Sequence, residues 1–441
     1  MAAKVNVAAA ATLAAILTTG ATALAQTAKD DSVTGRPHPD FDPLGIELDE
    51  ILNRVGILDK KTVEEKRSPL ASFVVHPVTE LEFRTQSNVF RTQDNPKSDQ
   101  IAYLRPSLSI GSDWNRHAVN LTVGGDIARH QHYDGEDFEN ARVALGGALN
   151  VSEALTVNLD TKFSKVQEQR GTPEDLGPQA PPVQAYTLGF SGGMLYKADL
   201  LLLNLKGKFN HLTYKDGDPA TTFLRDYDDS LVSLRTGWEF TPGTTIFVEP
   251  SYNSRVYQHR FDSLGFLQGS EGYRILNGVS WDVSGVTFLE AGVGWMRQTY
   301  KEPTFAPSEG PSFLIKAIWN PDQLVTITVN GERRVDETTA IDPLTGRAQK
   351  TSGLLVTEGG VVVDYEFLEN LIISGRFNYS NQKFEGSSRT DNLYTGGVLF
   401  DYKIGHKWYA QLGMDNIYRK SNLAGVPFED QIFSIRFGEH L

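Results

Sequence analysis

From Ala71 onward, apolar and polar residues alternate in runs of about a dozen, the period-two signature of strands with one oily face and one wet face. In Leu324–Gly331, Val325, Ile327 and Val329 share one face, while Thr326, Thr328 and Asn330 share the other. Leu201, Leu203, Leu205 and Phe209 stand opposite Asn204, Lys206, Lys208 and Asn210. Val157, Leu159 and Phe163 oppose Asn158, Asp160 and Lys162, and Trp408, Ala410, Leu412 and Met414 oppose Gln411 and Asp415.

The breaks between these runs are of two kinds. Eight are short, each an aromatic or apolar residue, a few polar or Gly/Pro residues, and a new strand. They fall near Trp114, Ser152, Ala198, Pro242, Ser284, Pro321, Glu369 and Gly405, a coarse repeat of roughly forty residues. Nine others are long, charged and rich in breakers, "EQRGTPEDLGPQAPPV" and "DETTAIDPLTGRAQKTS" among them. Nine long loops and eight short turns predict about 18 strands with both ends of the sheet on the short-turn side. Trp114, Trp238, Trp281, Trp319 and Trp408 recur beside the short turns, where a lipid-facing sheet carries its aromatic girdle. A soluble sandwich also alternates but has no use for that many long strands with that girdle. The pattern therefore predicts an all-β fold, a transmembrane antiparallel up-and-down β-barrel, whose closure removes the sheet edges that hydrocarbon does not tolerate. The last run, "DQIFSIRFGEHL", sets Phe433, Ile435 and Phe437 against Ser434 and Arg436 and reads as the closing strand.

The first 70 residues differ. Residues 1–25 carry Lys4, an apolar run and Ala23-Leu24-Ala25 before Gln26, the pattern of a secretory signal peptide. Residues 26–70 lack strand alternation. Ile46, Leu48, Ile51, Leu52, Val55 and Leu58 predict a short amphipathic periplasmic helix over 46–58, and a charged linker ends at Pro69. Residues 71–441 are the expected barrel, in the outer membrane of a Gram-negative bacterium, with outer-membrane lipid, lipopolysaccharide and the barrel assembly machinery as expected partners.

Composition narrows this further. A formal charge of −13 argues against a nucleic-acid partner. The absence of cysteine removes disulfides and thiolate metal sites, and 40 glycines with 16 tyrosines suit strands and turns.

Three stretches carry a resemblance: "DFDPLG" (Asp40–Gly45), "ELEFRTQSNVFRT" (Glu80–Thr92) and "YLRPSLSIGSDWNRHAVNL" (Tyr103–Leu121). On these the chain resembles the outer-membrane beta-barrel porins of the beta-barrel porin 2 type in proteobacteria. The resemblance implies a barrel porin over the whole sheet and names no catalytic residue. Members often resemble barrels that accompany exopolysaccharide export, so it implies passage of a polysaccharide and periplasmic polysaccharide-export components as partners.

Candidate chemistry lies on the inner face. A lipid-facing charge at the midplane costs about 2–4 kcal/mol, so charged residues within the strands are expected to line the pore. The candidates are Arg105, Arg142, Lys162, Lys206, Lys208, Arg235, Glu249, Glu290, Lys316, Glu332, Arg376, Asp415 and Arg436; Glu80, Glu82, Arg84, Asp160, Glu358 and Asp401 share that face. Such charges either set ion selectivity or pair with one another across strands. Gly171–Pro182 and Asp336–Lys350 are the candidate constriction loops, the alternative being loops that lie on the rim. "GFSGG" (Gly189–Gly193) matches G-x-S-x-G but sits in an alternating strand with no helix after it, so no catalytic residue is expected. His130 and His132 lie beside Asp134 and Glu136, a pattern that either holds a divalent cation or contacts the outer leaflet; no metal or cofactor is assigned. The functional expectation is a channel for hydrophilic solutes or an exported polysaccharide. The alternative is a non-conducting barrel that assembles envelope components.

Overall fold

The computed structural model describes residues 72–440 except 219, 220, 284, 285, 343, 345, 352 and 406. The signal sequence and the helix expected over 46–58 lie outside the described residues. Twenty strands follow in chain order: β1 (Phe73–Gln86), β2 (Asp99–Ser112), β3 (His117–His130), β4 (Phe138–Asn150) and β5 (Leu155–Gln167). Next come β6 (Val183–Ala198), β7 (Leu201–Asp216), β8 (Tyr227–Thr241), β9 (Thr244–Tyr257) and β10 (Ser270–Val283). Then follow β11 (Thr287–Tyr300), β12 (Ser308–Trp319), β13 (Val325–Asp336), β14 (Ile341–Asp342) and β15 (Arg347–Ala348). The last are β16 (Gly353–Leu368), β17 (Leu371–Glu385), β18 (Thr390–Ile404), β19 (Trp408–Ser421) and β20 (Phe428–His440).

Eighteen of these form one antiparallel sheet in which each strand pairs with its neighbours in the chain, and β20 pairs with β1 to close a barrel. β14 and β15 are a small separate hairpin inside loop 337–352. Eight short turns lie at one end of the barrel and nine connections at the other, as the alternation predicts; eight of the nine are longer loops, and the one between β17 and β18, residues 386–389, is itself a tight turn. β12 and β13 pair only from Leu314–Trp319 to Ile327–Glu332, and above this a side chain takes over, Ser312 Oγ donating to the Arg333 carbonyl at 2.8 Å. Pro311 has no N–H to offer on either side.

The oily face points outward. Leu81, Phe83, Leu159, Val232, Val293 and Leu412 are all exposed, and Val293 keeps 67% of its surface. Trp114, Trp238, Trp281, Trp319 and Trp408 are exposed at the short-turn end, while Trp295, Tyr252 and Tyr273 stand outside nearer the loops. Two aromatic belts with an aliphatic band between them are what a bilayer selects. Val293 lies midway along β11, facing lipid. Val293→Arg is expected to lower folding stability by about 2–4 kcal/mol, read as a reduced urea midpoint for folding into vesicles. An unchanged midpoint would mean that this face is not in hydrocarbon.

Inside, the barrel has no single oily core. Five small clusters of buried apolar residues occur instead, among them Leu393, Ile417, Phe428 and Ile432, and Phe247, Leu276 and Leu314 on the inner face of β9, β10 and β12.

Candidate functional site

Strand alternation puts Arg105, Arg142, Lys162, Lys206, Lys208, Arg235, Glu249, Glu290, Lys316, Glu332, Arg376, Asp415 and Arg436 on the face opposite the exposed apolar residues. Many are drawn into ion-pair networks. Glu82, 1% exposed, is the hub of one. It accepts from Arg436 Nη2 at 2.6 Å, pairs with Arg84 at 2.8 Å, and accepts from Arg105 Nη1. Arg105 continues to Asp126 at 3.2 Å, and Arg142 Nη1 donates to the same carboxylate at 2.7 Å. This ladder runs from β20 across β1 and β2 to β4, spanning the barrel closure. Arg84 and Arg105 both stack on Tyr103, each with its guanidinium carbon 4.6 Å from the ring centre. Nearby, Arg376 Nη2 donates to Asp415 at 2.5 Å.

A second network sits on β8–β11. Arg235 donates to Glu249 at 2.6 Å and Glu290 at 3.1 Å and lies 4.2 Å over the Phe247 ring. Glu290 stands opposite Lys316 in register. On β13, Arg334 joins Glu332 and Glu358 and reaches Asp336 at 3.3 Å. Asp126 and Arg334 were not among the sequence candidates. Adjacent glycines in "VGGDIA" blur the alternation at Asp126, whereas Arg334 follows by parity from Glu332.

Both candidate constriction loops fold inward and meet. Loop 168–182 joins β5 to β6, and loop 337–352 joins β13 to β16 on the far side of the ring. Thr338 Oγ1 donates to Glu174 at 2.7 Å, and the Ile341 N–H donates to the Pro173 carbonyl at 2.8 Å. The rim alternative is thereby replaced: these loops cross the mouth.

Arginines hold loop 168–182 in place. Arg170 donates to both oxygens of Glu136, at 2.5 and 2.9 Å, and to Asp175 at 3.0 Å. It also caps the carbonyls of Gly177 and Ala180. Arg91 donates to the Arg170 carbonyl at 3.1 Å, Arg419 to the Gly171 carbonyl, and Arg225 binds Glu168 at 2.5 Å. Gly171 has φ +79°, and a Cβ there would press on Arg91 and Phe428 at 3.1 Å, so the glycine lets the turn pass under the clamp. On the opposite loop, Arg389 reaches the Ile341 carbonyl and Gln349.

Glu337, first in its loop, is anchored from below. Ser270 Oγ donates to it, and Gln298 Nε2 donates to that Ser270 hydroxyl at 2.6 Å. Burial pushes the Glu337 carboxyl up to about 7; Asp229 and Asp336 push the same way, against the Arg255 guanidinium and the Tyr257 hydrogen bond. The folded protein therefore holds this proton where the unfolded chain, near its ordinary 4.5, has released it. The contribution to stability is complete below that ordinary value and is lost as pH rises through about 7. Loop 337–352 is expected to become more protease-sensitive from mild acid to mild alkali, and Glu337→Gln to remove that dependence. An identical pH profile in the variant would discard this anchor.

"GFSGG" lies within β6, with Gly189 and Ser191 on the inner face. His132 Nδ1 is 2.8 Å from Asp99, whereas His130 Nδ1 is 3.4 Å from Asp137, so the two histidines serve different carboxylates. Among the described residues no group of three or more His, Cys, Asp or Glu is arranged to hold a metal ion.

A closed 18-stranded barrel, girdled with aromatics outside and charged inside, is a transmembrane barrel of the outer-membrane, porin-like class. The chain belongs to the family described as "Putative beta-barrel porin 2", whose model matches residues 68–437. That membership carries an outer-membrane location in a Gram-negative bacterium. No curated protein matches. Among solved structures it is similar to the copper transporter OprC, at 12% identity over 84% of this chain and 81% of that one, TM-score 0.48. It is also similar to the outer membrane protein OpdK from Pseudomonas aeruginosa, at 10% identity over 83% and 99% of the chains, TM-score 0.44. The siderophore receptor PirA from Acinetobacter baumannii is 8% identical over 83% and 80%, TM-score 0.46.

Proposed function

We propose that the protein is a passive channel for small hydrophilic solutes, its outer mouth narrowed by loops 168–182 and 337–352. The observation that carries this reading is solvent inside the wall: Asp160 and Asn330 are on the inner face, within the strands, and are exposed. A barrel of this strand number leaves an aqueous interior unless something fills it, and the described loops cross only its long-loop end. In this reading the candidates that keep solvent contact line the pore, with selectivity set where their charges do not cancel, while the buried Arg235, Glu249 and Glu290 brace its wall.

Passage of an extended polysaccharide would need the Thr338–Glu174 and Ile341–Pro173 bonds to separate, so the crossing favours small solutes. Single-channel recording in planar bilayers tests the proposal. A steady ohmic current is expected from the full chain. If neither the full chain nor a form lacking residues 26–70 conducts, the channel reading fails and an envelope-assembly role takes its place. Current only after that deletion would mean that the segment plugs or gates the pore.

A further inference from the structure

The wall charges cancel in most sectors, and the exceptions face each other. Away from the strand ends, β1–β4 hold Glu80, Glu82 and Asp126 against Arg84, Arg105 and Arg142 on the inner face. β17–β20 hold Asp401 and Asp415 against Arg376 and Arg436. β5–β7 do not cancel: Lys162, Lys206 and Lys208 face the lumen with one carboxylate, Asp160. Nor do β13 and β16, where Glu332, Glu358 and Asp364 face it with one cation, Arg334. Five strands separate these sectors on one side and eight on the other, so they stand on nearly opposite walls. They also share a height. Counted from the short-turn end, Lys162, Lys208 and Glu332 are each the eighth residue of their strands. Glu332 and Glu358 are register partners.

Resting on the channel reading, we propose that this level of the lumen is a selectivity site for zwitterionic solutes, molecules that carry an ammonium and a carboxylate a few bonds apart. Two walls of opposite sign across a low-dielectric ring create a field perpendicular to the pore. A single ion is drawn to one wall and repelled from the other. A dipolar solute gains from both when its carboxylate turns to the lysines and its ammonium to the glutamates, and it keeps that orientation during passage. An uncharged polyol gains from neither. Asp160 is exposed, so the lysine wall is wet and within reach of solute.

The test uses the full chain in liposomes, comparing swelling rates in 4-aminobutanoate and in a four-carbon polyol of similar size, alongside planar-bilayer conductance. The zwitterion is expected to enter faster by a factor of roughly three to ten. Lys162→Gln/Lys206→Gln/Lys208→Gln and Glu332→Gln/Glu358→Gln, each checked for folding by heat-modifiable gel mobility, are each expected to abolish that preference. The single variants Lys208→Gln and Glu332→Gln provide a milder pair in case the multiple changes misfold; both should reduce the preference. Their reversal potentials in a salt gradient should move in opposite directions, the first toward cations and the second toward anions. A conducting wild type with no preference overturns this inference alone, as does a preference that survives neutralisation of either wall. A silent wild type overturns it together with the channel reading.

Discussion

Arg170→Ala is expected to raise single-channel conductance severalfold and to turn a steady current into a noisy one. Arg170 is the main clamp on loop 168–182. Its side chain is 7% exposed and binds Glu136, Asp175 and two carbonyls, and it lies over Phe90 with its guanidinium carbon 5.9 Å from the ring centre. Removing one partner of a buried ion pair costs about 3–5 kcal/mol, because the other charge stays buried without compensation. Here the orphan is Glu136, 9% exposed, and two loop carbonyls lose their donor as well. Three further arginines touch the loop, Arg225 at Glu168, Arg91 at Gln169 and the Arg170 carbonyl, and Arg419 at the Gly171 carbonyl, but these contacts all fall on its first residues, Glu168 to Gly171. The turn that carries Pro173 and Glu174 would then detach from Thr338 and Ile341, and the mouth would widen. Arg170→Lys should be intermediate, since an ammonium keeps the charge but not the two-pronged grip on Glu136. Conductance that stays at the wild-type level in both variants would show that this loop does not limit the current.

The barrel was legible in the sequence because lipid imposes a rule on every strand. One face must be oily, so Val325, Ile327 and Val329 point outward, and the parity of any one such residue assigns the whole strand. The tryptophans beside the short turns then tell which end is which. Inner-face assignments for residues such as Arg105 and Glu290 follow from the same parity, and so does Arg334, once Glu332 is placed. What these residues touch was not legible. Glu82 meets Arg436 across 354 residues of sequence, and Thr338 meets Glu174 across 164, and no local period reports such distances. Breaker-rich composition marked loops 168–182 and 337–352 as long but left open whether they turn inward. That choice depends on buried arginines contributed by other loops and strand ends. Glu337 looked like any loop carboxylate until its neighbours Ser270 and Arg255 came from β10 and β9.

The seam where the barrel closes is the place where one residue should matter most to stability. β1 and β20 share nine register partners, from Val78–His440 to Gln86–Ile432, fewer than the fourteen between β1 and β2. Glu82 lies in the middle of that seam and neutralises arginines from three strands, Arg84 of β1, Arg105 of β2 and Arg436 of β20. Glu82→Ala leaves three guanidiniums facing one another with their shared anion gone, so both desolvation and like-charge repulsion act in the same direction. The loss should fall at or above the upper end of the range for a broken buried pair, about 5 kcal/mol, and should appear as a lower temperature for loss of heat-modifiable mobility. Arg84→Ala is the informative contrast. Glu82 keeps Arg105 and Arg436 in that variant, and Arg84 is the most exposed of the three at 25%, so the effect should be a fraction of the first. The double variant Glu82→Ala/Arg84→Ala should be more stable than Glu82→Ala alone, because Arg84 has its ion pair with Glu82 whereas Arg105 keeps Asp126, and a mutant cycle would isolate that coupling. If Glu82→Ala melts with the wild type, the seam is held by backbone pairing alone and the charged hub contributes nothing to closure.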